Sequence, residues 1–149
     1  MRFGRVLGVI VMLAVVGSVA AAGGVDLRYP DGTPVAWEKW VARAAPVAVV
    51  VWSSWQPRAP EVLAHRAELE KACAEKGLKL VFVDVVEPIE AARTALAGSG
   101  VTWLHDRHGS LLKRCRVVAV PSLVILDRKG QVVARLEPTA EAVRAWSGS

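Results

Sequence analysis

The sequence predicts an α/β fold in which a central mixed β-sheet is flanked by helices. Three observations carry that expectation. Two apolar runs, Val47–Trp52 (VAVVVW) and Leu80–Val86 (LVFVDVV), are rich in β-branched residues and lack polar alternation, the mark of strands buried on both faces. A segment of helical composition, Glu61–Lys76, lies between them. Downstream, Leu123–Leu126 turns through Asp127-Arg128-Lys129-Gly130 into Val132–Leu136, a hairpin that makes the sheet mixed. Helices alternating with buried strands pack as covering layers on such a sheet.

The elements follow in chain order. Arg2 and Arg5 precede an uncharged run, Val6–Val16 (VLGVIVMLAVV), and the small residues Gly17-Ser18-Val19-Ala20-Ala21-Ala22 come next. This is the charged, apolar and A-x-A sequence of a secretory signal over residues 1–22. A retained anchor helix is the rival reading, since Val6–Ala22 is at the short edge of what spans a bilayer. Either reading puts the rest, one domain over residues 25–149, outside the cytoplasm. Val25–Tyr29 reads as a short strand ending at Pro30-Asp31-Gly32. Ala36–Ala44 reads as a helix with Trp37, Trp40 and Val41 on one face. After the first buried run, Ser53–Pro60 is a Ser- and Pro-rich turn. In the helix that follows, Val62, Leu69 and Cys73 share a face and Gly77 supplies the stop. Glu90–Ala97 is a further helix ended by Gly98-Ser99-Gly100, and Glu141–Trp146 closes the chain after Pro138-Thr139.

Composition excludes several classes. Of 149 residues 53% are hydrophobic, too many for a disordered chain. Two cysteines cannot build a disulfide scaffold or a four-thiolate metal site. The net charge of +5 includes Arg2 and Arg5, so the folded part is only slightly basic and composition gives no argument for nucleic acid.

Three landmarks together carry a resemblance. Val51-Trp52-Ser53-Ser54-Trp55-Gln56-Pro57-Arg58-Ala59 runs from a strand through W-x-x-W and a Pro-containing turn into a helix. Val120-Pro121-Ser122 leads into an apolar strand and Asp127-Arg128-Lys129-Gly130. Asp26–Val35 precedes Ala36–Val41 as a D-G-x-x-V entry. This resembles the extracytoplasmic TlpA/ResA-type branch of the thioredoxin superfamily, from about Val25 to the C-terminus. The resemblance implies a thioredoxin-like fold with a cis-proline loop at Pro121, lying against the start of the helix after Ala59. It implies thiol–disulfide exchange in an exported, periplasmic or otherwise extracytoplasmic setting, and no cofactor.

The match fails where the chemistry sits. The two cysteines of the family's C-x-x-C fall on Gln56 and Ala59. Dithiol exchange needs a thiolate to attack and a second thiol to resolve the mixed disulfide, and neither an amide nor a methyl group does this. The family's downstream carboxylate falls on Val62, with Glu61 one residue off. The expectation is therefore a redox-inactive module. Trp55, Gln56 and Pro57 would form one wall of a groove and Val120 and Pro121 the other, the backbone of Val120 pairing with an extended peptide or protein segment. Trp52, at the end of a buried strand, reads as core.

Two alternatives remain. Cys115 lies among Lys113, Arg114 and Arg116, cations that would lower its pKa if it were exposed, so a monothiol exchange enzyme is one. A metal-handling domain using His105, His108 and Cys115 is the other, against the plainer reading of His105-Asp106-Arg107-His108-Gly109 as a solvated polar turn. Cys73 reads as a buried small side chain; a Cys73–Cys115 disulfide is disfavoured because the fold separates the two positions.

Overall fold

The computed structural model describes residues 24–148. Five strands form one sheet in the order β3-β2-β1-β4-β5. They are β1 (Val47–Trp52), β2 (Lys79–Val85), β3 (Trp103–Asp106), β4 (Ser122–Leu126) and β5 (Val132–Leu136). β1, β2 and β3 run parallel, while β4 is antiparallel to β1 and β5 to β4. The sheet is therefore mixed. The signal or anchor expected over residues 1–22 lies outside the described residues.

All six residues of β1 are buried, which is why the run shows no alternation. Its even and odd positions feed different cores. Val47, Val49 and Val51 join Trp37, Trp40, Leu104, Leu111 and Cys115 on one face. Ala48, Val50 and Trp52 join Val62, Leu69, Cys73, Phe82 and Val143 on the other. Each fully buried Val or Leu contributes about 1.5–3 kcal/mol, so these two layers dominate the stability.

The helices cover the two faces. α1 (Trp37–Ala44) buries Trp37, Trp40 and Val41, with the two indoles stacked at a centroid distance of 5.7 Å. Residues 61–76, read as one helix, form two: α2 (Ala59–Ala64) and α3 (Arg66–Glu75), interrupted at His65. The guanidinium of Arg66 donates to the Leu63 carbonyl at 2.8 Å, an oxygen that a continuous helix would keep for its own ladder. α4 (Ile89–Leu96) and α6 (Ala140–Ala145) match the expected helices within a residue or so, and Thr139 caps α6 by accepting from Ala142 N–H at 3.2 Å.

Two expectations are corrected. The strand expected at Val25–Tyr29 is reduced to bridges of Arg28 with Pro34 and with His105. Of the polar turn expected at His105–Gly109, Arg107-His108 do turn and are exposed, but His105 and Asp106 are the buried end of β3, and the turn leads into α5 (Ser110–Arg114). Asp106 makes that junction, its carboxylate accepting from the N–H groups of Ser110 (2.8 Å) and Leu111 (2.9 Å). A buried carboxylate satisfied in this way does not show in an apolar pattern.

Candidate functional site

The pairing Val51↔Ser122 brings the segment after β1 and the segment before β4 to one end of the sheet. Of the residues expected to wall a groove, Trp55 is 62% exposed, Pro57 is exposed and Gln56 half-buried. On the β4 side Val120 is half-buried and Pro121 buried, joined by a cis peptide bond. The N–H and C=O of Val120 make no backbone hydrogen bond among the described residues, leaving both open to an extended chain. Behind them, the indole N–H of buried Trp52 donates to the Ala59 carbonyl at 3.1 Å and fixes α2 to β1. Ala59 and Val62 are buried, and Glu61 is exposed beside Arg58.

Two further apolar side chains belong to this end of the sheet. Val118, before the cis-proline, is 99% exposed, and Val86, after β2, is 56% exposed. Val86 also has φ +57°, a conformation a β-branched residue adopts only under constraint. Its N–H donates to Asp106 O, which holds it there.

The thiol expectation is corrected. Cys115 is 1% exposed, and burial pushes its thiol up to about 11 although Arg114 and Arg135 pull the other way. The cations that suggested activation cannot act as they would on an exposed sulfur, and Arg135 donates instead to the Cys115 carbonyl. Cys73 is buried too, its thiol also pushed up to about 11 by burial. The two lie in the cores on opposite faces of the sheet, so both are free and no bridge between them is possible.

The metal expectation is corrected as well. Among the described residues no three His, Cys, Asp or Glu side chains converge as a metal site. His105 is 2% exposed on β3, His108 is exposed, and Cys115 belongs to the core across the sheet.

What His105 does instead is join a buried polar network. Asp84 sits in the middle of the sheet, and burial raises its carboxyl to about 10, helped by the neighbouring Glu87. Glu87 behaves oppositely. Its own burial would raise it, but hydrogen bonds from Asp84 and Ser54 hold it below its ordinary value. The consistent arrangement is a protonated Asp84 donating to an ionised Glu87, which also accepts from Ser54 N–H (2.9 Å) and O–H (2.6 Å). His105 Nδ1 lies 3.1 Å from Asp84 Oδ2, and burial lowers its pKa although Asp106 and Glu87 pull the other way. Its Nε2 is buried and has no hydrogen-bond partner among the described residues.

No protein-family model and no curated protein matches this sequence. Solved structures do. StoA from Bacillus subtilis superposes with a TM-score of 0.59 at 18% identity, covering 85% of this chain and 99% of its own. A secreted Mycobacterium tuberculosis disulfide oxidoreductase homologous to E. coli DsbE gives 0.56 at 17%, covering 75% and 81%. A thiol:disulfide interchange protein from Bacteroides sp. gives 0.59 at 16%, covering 74% and 75%. The fold is thioredoxin-like.

Within this thioredoxin-like domain Trp55, Gln56, Pro57, Val120 and Pro121, expected to wall a groove, lie toward one sheet end, while the sequence reading missed the Asp84–Glu87–His105 network. The signal was present: Asp84 interrupts LVFVDVV, and Glu87 follows it directly. A carboxylate inside a run buried on both faces needs a partner, and that need is the cue. No helix among the described residues is long and apolar enough to cross a membrane.

Proposed function

We propose that this chain is an exported thioredoxin-like module that does not run dithiol exchange and instead binds a protein or extended peptide at the Trp55–Pro121 end of its sheet. The observation that carries the reading is the pairing of open recognition groups with absent chemistry. The Val120 backbone makes no backbone hydrogen bond among the described residues and Trp55, Val86 and Val118 are exposed at the same end of the sheet, yet both thiols of the chain are buried elsewhere. Exposed apolar side chains gathered at one place mark interaction surfaces. Export rests on the residue 1–22 pattern, and the similar Mycobacterium protein is described as secreted.

An insulin-reduction assay tests the redox half of this reading. The chain gives no turnover above buffer, with or without Cys115→Ser. Turnover that disappears in Cys115→Ser would establish monothiol exchange in its place. Peptide-array binding with Trp55→Ala as control tests the other half, and equal binding by the variant would remove the groove.

A further inference from the structure

Between the end of α5 and the start of β5 lies a cleft of about 280 Å³, lined by Arg114, Arg116, Arg135, Gly130, Gln131 and Val132. Its charged lining residues are all arginines, and none is a carboxylate. Arg114 and Arg116 are exposed and enter no ion pair among the described residues. Arg135 is held in place, its guanidinium donating twice to the Cys115 carbonyl at 3.2 and 2.9 Å. Arg128 and Lys129, exposed in the turn that leads to Gly130, strengthen the positive field.

Arg116 is placed there against the preference of its backbone. α5 ends in a Schellman-type turn, in which Arg116 N–H donates to Lys113 O at 3.1 Å and Val117 N–H to Leu112 O at 3.0 Å. Arg116 takes φ +53°, the left-handed position that glycine fills most readily in such turns. Attraction to the helix end accounts for Lys113 and Arg114, the basic residues of the last turn. It does not call for an arginine beyond the cap. A side chain kept in a strained position that the fold would rather give to glycine points to a function.

Guanidinium forks match carboxylates, and several around one recess match several carboxylates. The neighbouring backbone narrows their source. β5 is the last strand of the sheet, and its outer side has no strand beside it among the described residues. The opposite edge, at β3, is engaged by Arg28, which exchanges two backbone hydrogen bonds with His105 at 2.9 and 2.8 Å. An extended polypeptide can use the open edge, whereas a lipid headgroup or a free anion cannot. The register shift between Ile125 and Leu126 bends β5 and keeps such pairing short, so the carboxylates carry most of the affinity.

We propose that the arginine cleft docks an acidic, extended segment of a protein partner, whose Asp or Glu side chains pair with Arg114, Arg116 and Arg135. The cleft reaches the Leu126 end of β4 through Val132, whereas the Trp55–Pro121 groove lies at its Ser122 end, and neither site depends on the other.

The test is a fluorescence-anisotropy titration of the full chain against labelled hexaglutamate, with hexaglutamine as the neutral control and phosphatidylglycerol vesicles in a parallel arm. Hexaglutamate binds saturably, and hexaglutamine binds roughly tenfold more weakly or worse. Arg116→Gly weakens hexaglutamate by about fivefold or more, and it raises the urea midpoint because glycine suits the turn. Arg114→Gln, an exposed change, weakens it similarly. Lys71→Gln removes the same charge from α3, on the other face of the sheet, and leaves the titration as it was. Equal binding of the two peptides, or parental binding by Arg116→Gly and Arg114→Gln, would overturn the proposal. So would an equal loss in Lys71→Gln, or a lower urea midpoint in Arg116→Gly, which would show the arginine to be kept for the fold. Capture by vesicles without hexaglutamate binding would assign the cleft to a membrane surface instead.

Discussion

Ser54 gives both its N–H and its O–H to the Glu87 carboxylate, at 2.9 and 2.6 Å, across the two parallel strands that end beside them. This contact ties the turn carrying Trp55 and Gln56 to the turn carrying Val86. Hydrogen bonds to a charged acceptor are worth about 1.5–3 kcal/mol, and the site is only partly buried. Ser54→Ala therefore costs about 1–2 kcal/mol in denaturant unfolding. An unchanged midpoint would show the two turns to be independent.

Asp84 holds its proton up to about pH 10 when folded, against an ordinary value of 3.8. Between those values the folded chain binds more protons than the unfolded one. The stability Asp84 contributes is thus full below its unfolded pKa and lost as pH rises toward the folded one. Asp84→Asn keeps a donor for Glu87 and an acceptor for His105 without titrating. It gains on the order of 1–2 kcal/mol over the parent at pH 8, and the gain vanishes near pH 4. Urea unfolding at the two pH values measures this, and a difference that does not vary with pH would mean that Asp84 is already ionised.

Val86 holds a β-branched side chain at φ +57° while more than half exposed. Glycine adopts that backbone freely and forfeits little burial here. Val86→Gly raises stability by up to about 1 kcal/mol, the net of relieved strain and added chain entropy. If Val86 is also a contact in the groove, the same variant binds peptide more weakly, a trade between stability and function.

Trp55 and Val118 stand out of the fold rather than in it. Trp55→Ala and Val118→Ser each shift stability by less than about 0.5 kcal/mol. Either change lowers affinity for a bound peptide if these side chains form the recognition surface. Calorimetric unfolding paired with binding isotherms separates the two effects.

The fold was legible where burial speaks through composition. Val47–Trp52 and Val132–Leu136 were read to the residue, because apolar runs and a D-x-x-G turn depend only on local pattern. β3 was not, because Trp103-Leu104-His105-Asp106 is short and half polar. Its polar members are buried through partners that an apolar pattern does not show, Asp84, far back in the chain, for His105 and the N–H groups at the start of α5, four and five residues on, for Asp106. The single helix read at Glu61–Lys76 was broken for a similar reason, a side chain taking a backbone oxygen. In the candidate site, Trp55, Pro57 and Val120 were placed by motif spacing. The burial of Cys115 was hidden by its charged neighbours, which point outward while the sulfur points in.

The two cysteines sit on opposite sides of a five-stranded wall that no side chain can reach around. An oxidant that met this protein would find nothing to join within one molecule and no thiol presented to another. Covalently linked chains on a non-reducing gel would therefore count molecules that had come apart before being trapped. An ordinary gel band would serve as a logbook of how often the sheet opens.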